Sequence, residues 1–323
     1  MKYDVDRFVS ENRKVAIIGT GYVGASIAYA LALRDVAREI VMIDINHEKT
    51  NGEAKDIRHG IPSMGTADLY AGDYKDCRDC DLIIITAGRG RKTGETRLDL
   101  VNENTRIMRN VVNSLKPYYT RGVIMIVSNP VDILTYKCAQ WMNLPTGTVF
   151  GTGCILDTSR LVRNIADYLH ISTGVINSHV IGEHGDRQIP IWSKTTVAGI
   201  PIEEFCRDIG VRWDSEIRKV LNDKTKSAGA EIIKAKGKTH YGIATCVCYL
   251  ADAILNQRPT VESVTSPIEW EIGEPPKYSL SVPSVVGPGG VIQRVREVWN
   301  DEEYDAFVEA RDKMLEVLER LVE

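Results

Sequence analysis

The tightest constraint on the fold is Gly19-Thr20-Gly21-Tyr22-Val23-Gly24, a G-x-G-x-x-G. An apolar, β-branched run from Lys14 to Gly19 leads into it, and Ala25 to Leu33 behind it is rich in helix formers. Strand, tight glycine turn and helix in that order make a dinucleotide-binding fingerprint. Gly19 permits the turn, Gly21 lets the main chain approach a pyrophosphate, and Gly24 lets the helix lie close to the sheet. The helix N-terminus then offers unpaired N–H groups and the positive end of its dipole to the phosphates. Asp44 lies in the second strand-like segment, Glu39 to Ile45, where a carboxylate accepts hydrogen bonds from ribose hydroxyls. It would repel a 2′-phosphate, and no arginine follows in Ile45-Asn46, so NAD is favoured over NADP. On this motif alone, an FAD or S-adenosylmethionine domain remains an alternative.

The segments that follow keep the same alternation. Asp81 to Thr86 and Val123 to Ser128 are apolar strand-like runs, and Asp99 to Leu115 and Val131 to Met142 read as helices. Continuously apolar strands separated by helices indicate a parallel sheet covered on both faces, hence an α/β, doubly wound Rossmann sheet. Beyond residue 150 the pattern changes. Helices are expected over Asp157 to His170, Trp213 to Lys236 and Gly237 to Leu255, with several short strand pieces between Val261 and Pro288. The expectation is an NAD-binding domain over residues 1–150 and an α+β substrate and catalytic domain over 151–323, closely packed because no linker separates them. A last helix from about Asp301 carries Phe307, Ala310, Met314, Val317, Leu318 and Leu321 on one stripe, which is expected to pack on its own domain.

The 323 residues carry a net charge of −4 with the basic residues scattered, so a nucleic-acid partner is not expected. No apolar stretch is long enough for a membrane helix and no secretion signal opens the chain, so the expected compartment is the cytoplasm. Cys77 and Cys80 form a lone C-x-x-C among seven cysteines. Without a second ligand pair they are read as reduced thiols rather than a zinc site or redox dithiol, and no metal is expected.

Five further motifs occur in order: Thr86-Ala87-Gly88, Gly94-Glu95-Thr96-Arg97-Leu98-Asp99-Leu100, Ser128-Asn129-Pro130-Val131-Asp132, Leu156-Asp157-Thr158-Ser159-Arg160 and Gly182-Glu183-His184-Gly185-Asp186. Together they resemble the L-lactate/malate dehydrogenase family over all but about the first twelve residues. The resemblance implies His184 as acid/base, Asp157 as the carboxylate that orients its ring, and Arg97 as the cation that polarises the reacting oxygen. It implies Arg160 as a bidentate grip on the substrate carboxylate, with Asn129 and Thr239 lining the pocket. Cofactor contacts are implied at Gly19, Gly21, Tyr22, Val23, Gly24, Asp44, Thr86, Ala87, Gly88 and Asn129. Residues 89–96 match a mobile loop that closes over substrate and delivers Arg97. A small 2-hydroxy or 2-oxo acid substrate and a homotetramer or homodimer are implied as well. Some bacterial relatives bind a sugar bisphosphate between subunits through an arginine and a histidine. Val162 and Asn177 stand at the matching positions here, so that site is expected to be absent.

Arg91 matches the loop position that faces the substituent on substrate C3, where lactate enzymes usually carry glutamine and malate enzymes arginine. A second substrate carboxylate needs a cation once the loop shuts, whereas a guanidinium shut over pyruvate would be buried without a partner. The remaining motifs, GEHGD, LDTSR and THYGI, look lactate-type. Charge complementarity at Arg91 favours malate/oxaloacetate as the expected substrate pair, with lactate/pyruvate as the alternative. A non-catalytic NAD-binding module would have no need of Asp157, Arg160 and His184 together. An NAD-dependent glycosidase would call for a metal-holding Cys and His pair.

Overall fold

The computed structural model describes residues 12–63, 65–90, 94–269 and 275–321. Its first half is built from β1 (Lys14–Ile18), α1 (Tyr22–Leu33), β2 (Glu39–Ile43), α2 (His47–Gly60), β3 (Asp68–Ala71), β4 (Leu82–Ile85), α3 (Arg97–Leu115), β5 (Val123–Ile126), α4 (Val131–Met142) and β6 (Val149–Gly151). The six strands are parallel in the order β3-β2-β1-β4-β5-β6. Every residue of β4 and β5 is buried, as expected for strands covered on both faces. The order reverses between β1 and β4, and ligands of such sheets bind outside the carboxyl ends of the strands at that reversal. Register decides what meets there. Ile18 pairs with both Ile43 and Ile85, which brings Gly19, Asp44 and Thr86 to one edge.

The second half comprises α5 (Ile155–Leu169), β7 (Ile176–Asn177), β8 (Val180–Gly182), β9 (Gln188–Pro190), β10 (Thr196–Val197), β11 (Ile200–Pro201), α6 (Ile202–Asp208), α7 (Ser215–Lys236), α8 (Tyr241–Leu255), β12 (Thr260–Ile268), β13 (Tyr278–Gly287), β14 (Gly290–Arg294) and α9 (Asp301–Glu319). β12 pairs antiparallel with β6 through Thr265 and Gly151, so the main sheet runs on through β12, β13, β8 and β9. A separate small sheet joins β11, β10 and β7.

Two sequence expectations change. The stretch read as several short strand pieces is two long antiparallel strands, nine and ten residues, in register from Thr260↔Val286 to Ile268↔Tyr278. Pro267 and Pro283 lie inside these strands, where their usual role as breaks conceals the continuity. The helix expected from Gly237 begins instead at Tyr241, because Gly237 closes α7 in the left-handed region at φ 82°. The α9 stripe is buried within the chain: Phe307, Ala310, Met314 and Leu321 share a cluster with Ile181, Ile191 and Leu280 of the second half and with Val101 and Ile133 of the first. Among the described residues no helix is long and apolar enough to cross a membrane. All seven cysteines are unpaired and buried, and burial pushes the Cys77 thiol up to about 12, which suits inert core thiols.

Candidate active site

The glycine turn is shaped by close approach. A Cβ on Gly24 would stand 1.9 Å from the Gly19 carbonyl oxygen, and one on Gly19, whose φ is +102°, would stand 2.6 Å from the Ala87 nitrogen. The space over Gly21 is open, with nothing within 4 Å of a Cβ placed there. No side chain caps α1, which leaves the N–H groups of its first turn aimed into that opening. An uncapped helix start over an open glycine cradle fits a dinucleotide pyrophosphate. Asp44 sits beside it and accepts the Thr20 N–H at 2.7 Å and the Asn46 N–H at 3.0 Å. It does not cap α2, since Asn46 does so by accepting from Lys49. Each carboxylate oxygen keeps a lone pair for a ribose hydroxyl.

The loops after β4 and β5 complete this edge. Thr86 Oγ1 donates to the Gly19 carbonyl at 2.7 Å, and Ser128 Oγ donates to the Ala87 carbonyl at 2.7 Å. Asn104 on α3 ties the two loops together. Its Nδ2 donates to the Asn129 and Arg89 carbonyls at 2.7 and 3.1 Å, and its Oδ1 accepts the Arg89 N–H at 3.0 Å. Sequence reasoning assigned Asn104 no part, although it lies on the helix that opens with Arg97.

Steric contact at Gly24 yields a test. Gly24→Ala must push the Gly19 carbonyl away and is expected to weaken NADH binding at least tenfold in a fluorescence titration, with the folded state verified by circular dichroism. An unchanged dissociation constant would remove this turn from the cofactor site.

Three predicted residues converge behind the cleft. Asp157 and Arg160 lie one turn apart on α5, and His184 follows β8. His184 Nδ1 donates to Asp157 Oδ2 at 2.6 Å, and Arg160 Nη1 donates to Asp157 Oδ1 at 3.2 Å. One carboxylate, 2% exposed, therefore joins the imidazole and the guanidinium, while the His184 side chain remains 24% exposed. A carboxylate only accepts, so Nδ1 carries the proton and Nε2 is the nitrogen left for proton exchange. Burial works against the imidazolium, but the charge and hydrogen bond of Asp157, aided by Asp132, outweigh it and raise the His184 pKa above the ordinary histidine value. Burial likewise works against the Asp157 carboxylate, yet His184 and then Arg160 hold its pKa below the usual value.

Thr239 precedes α8. A Cβ on Gly242 would stand 3.1 Å from Leu156 Cδ1, so the THYGI segment abuts the residue before Asp157. Asn129 accepts the Val131 N–H through Oδ1 at 3.2 Å, and its peptide bond to Pro130 is cis. Arg89, at the loop's base, is paired with Glu95, one of whose contacts is 2.8 Å. Arg91 lies outside the described residues. Arg97 opens α3 behind a Thr96–Asp99 capping box, and its side chain also lies outside what is described. Among the other histidines, His240 is buried and shares a 2.9 Å hydrogen bond with Ser26, as befits a satisfied core residue.

Residues 13–151 match the NAD-binding domain of lactate/malate dehydrogenases, and residues 154–323 match the alpha/beta C-terminal domain of the same enzymes. The chain is 40% identical over 308 residues to an L-lactate dehydrogenase of Thermoanaerobacterium saccharolyticum, covering 95% of this chain and 99% of that protein. It is 36% identical over 309 residues to an L-lactate dehydrogenase of Acetivibrio thermocellus, covering 96% and 97%. Among solved structures, the minor L-lactate dehydrogenase of Enterococcus mundtii in its ligand-bound form superposes with a TM-score of 0.91 at 39% identity, covering 96% of this chain and 99% of that one. A lactate dehydrogenase from a Medee basin deep-sea metagenome gives a TM-score of 0.91 at 32% identity, covering 95% and 98%. The chain belongs to the lactate/malate dehydrogenase family and is an NAD-dependent oxidoreductase that acts on a 2-hydroxy acid.

Proposed function

We propose that the enzyme interconverts L-lactate and pyruvate, with His184 as acid/base, Asp157 as its orienting carboxylate and Arg160 as the grip on the substrate carboxylate. The observation that carries the chemistry is the Asp157 carboxylate shared between His184 and Arg160. It places a proton carrier next to a cation able to hold a carboxylate in a bidentate pair. NAD, when bound, supplies the centre that exchanges hydride with substrate C2. In the direction of reduction, His184 donates the Nε2 proton to the oxygen on C2, and Asp157 stabilises the imidazolium beforehand. In the direction of oxidation the same nitrogen takes the hydroxyl proton. Arg160 orients the substrate so that C2 faces the cofactor. Arg97, at the start of α3, is assigned to the developing negative charge on that oxygen. Gly19, Gly21, Tyr22, Val23 and Gly24 would hold the pyrophosphate, Asp44 the adenosine ribose, and Thr86, Ala87, Gly88 and Asn129 the nicotinamide side. Thr239 would line the substrate pocket.

Lactate takes precedence over malate because relatives matched over 95% and 96% of the chain are named L-lactate dehydrogenases. This reverses the preference drawn from charge alone. Malate/oxaloacetate stays as a second reading for one reason: Arg91 stands where a neutral residue suits lactate, and Arg89 is taken up by Glu95. The deciding measurement is kcat/KM with NADH for pyruvate and for oxaloacetate, in the wild type and in Arg91→Gln. Pyruvate is expected to be the better wild-type substrate, and Arg91→Gln is expected to lower activity on oxaloacetate about tenfold, the scale of one charge contact. A wild type that prefers oxaloacetate overturns the lactate assignment.

The division into a cofactor domain over residues 1–150 and a substrate domain over 151–323 belongs to this reading, and is supported by the two family matches meeting there. So does a homodimer or homotetramer, supported by Tyr29 and Leu33 on α1 and Tyr249 on α8, which stand exposed. A cytoplasmic location is supported by seven unpaired thiols, as expected in a reducing compartment.

A further inference from the structure

Asp132 is a buried carboxyl beneath the catalytic loop that the chemistry above leaves unused. It sits in the first turn of α4 and is 2% exposed. Its Oδ2 accepts the main-chain N–H of His184 at 2.9 Å. Its Oδ1 has no well-formed hydrogen bond, and the one polar side chain that reaches toward the carboxyl is the Thr265 hydroxyl on β12. A half-satisfied carboxyl in the core is expensive, and an apolar side chain of similar size would carry no such desolvation cost. What the carboxyl adds at this point is an acceptor for one specific N–H and a negative charge near one specific imidazole.

We propose that Asp132 is a positioning residue of the reaction: its carboxylate anchors the His184 main chain and, with Asp157, sustains the imidazolium that turnover requires. Two carboxylates then frame one histidine, Asp157 at the ring and Asp132 at the backbone. The inference rests on His184 being the acid/base group. The charged and titratable groups facing Asp132 are His184 and Glu183 in the loop after β8, with the buried Cys154 thiol at the start of α5; β12 contributes the neutral Thr265 hydroxyl. Burial pushes the Asp132 carboxyl up to about 7, and the contacts from Thr265 and His184 oppose that rise. The ionised carboxylate favours the imidazolium, and the imidazolium favours the ionised carboxylate, so the two groups titrate as a coupled pair.

The test is the pH profile of kcat/KM for pyruvate reduction in the wild type, Asp132→Asn and Asp132→Ala, alongside the NADH dissociation constant. Asparagine retains an oxygen for the His184 N–H and loses the charge. Asp132→Asn is expected to bind NADH as the wild type does and to lose about three- to tenfold in kcat. Its alkaline limb is expected to move down by about half a pH unit or more, because a carboxylate that favours the imidazolium is gone. Asp132→Ala loses the anchor too and is expected to lose more kcat than KM. A merely structural residue would lower the melting temperature and leave the limb in place, so superimposable profiles overturn the proposal. Should the variants not fold, His184→Asn labelled with 15N-asparagine decides, because it has no imidazole at position 184. The amide of residue 184, identified as the signal absent from the wild type, is expected to shift as pH crosses 7, and an amide unmoved between pH 5 and 9 overturns the proposal. A wild type inactive on every 2-oxo acid sinks the acid/base assignment instead, and the amide titration still reports on Asp132.

Discussion

Replacing His184 with asparagine is expected to lower kcat/KM for pyruvate reduction by roughly 10²- to 10⁴-fold, the usual contribution of a positioned acid/base group. Asparagine approximates the volume of the ring but carries no transferable proton at neutral pH, while the cofactor turn lies on other elements. NADH binding should therefore remain within a factor of two or so, which separates loss of chemistry from loss of the cofactor. The pH dependence gives the same assignment a sign. Reduction needs His184 protonated, so wild-type kcat/KM for pyruvate is flat below the His184 pKa and falls above it. Oxidation needs it neutral, so kcat/KM for lactate falls below that pKa. Because Asp157 raises the pKa, both limbs should lie on the alkaline side of the ordinary histidine value. In His184→Asn the residual activity should lose this dependence. Rapid-mixing or steady-state assays from pH 5 to 9 check both points, and a variant with full turnover removes His184 from the reaction.

What could be read from the residues alone follows locality. The run from Lys14 through Gly24 into Leu33 is continuous in sequence, so strand, turn, helix and cofactor class were legible together, although Gly19 also meets Thr86 and Ala87 from a distant loop. α2 went unread because only Thr50, Ala54 and Ile57 are buried along its fourteen residues, too few for an apolar stripe. Asn46 capping it, with Glu48 in its first turn, was the available signal. β12 and β13 were fragmented by prolines that the paired strands accommodate. The union of His184 with Asp157 spans 27 residues of sequence and two different elements, a non-local contact that no spacing reveals. It came from resemblance. By contrast, Asp157 and Arg160 stand three apart on one helix, a spacing at which side chains meet, and their contact was open to prediction. Asp132 closes the Ser128–Asp132 motif without a legible role, because a buried carboxyl and a surface carboxyl look alike in sequence until the fold covers one of them.

Arg160 offers the second large effect. Its guanidinium is 16% exposed and already engaged with Asp157, so it is held in place before substrate arrives. Arg160→Gln removes the charge and the planar two-point grip while keeping a hydrogen-bonding end. Loss of a desolvated charge partner typically costs about 2–5 kcal/mol, and a value near the middle corresponds to roughly 10²- to 10³-fold in kcat/KM. The loss should fall mainly on KM for pyruvate, because the grip is made in the ground state as well as in the transition state. A smaller effect on kcat follows from Asp157, which would lose one of the two cations holding its pKa low and would orient His184 less firmly. The NADH dissociation constant should not change. Steady-state kinetics with pyruvate over a wide concentration range separates the two parameters. A KM equal to that of the wild type would mean that the substrate carboxylate is held elsewhere, and Arg160 would then be only the structural partner of Asp157.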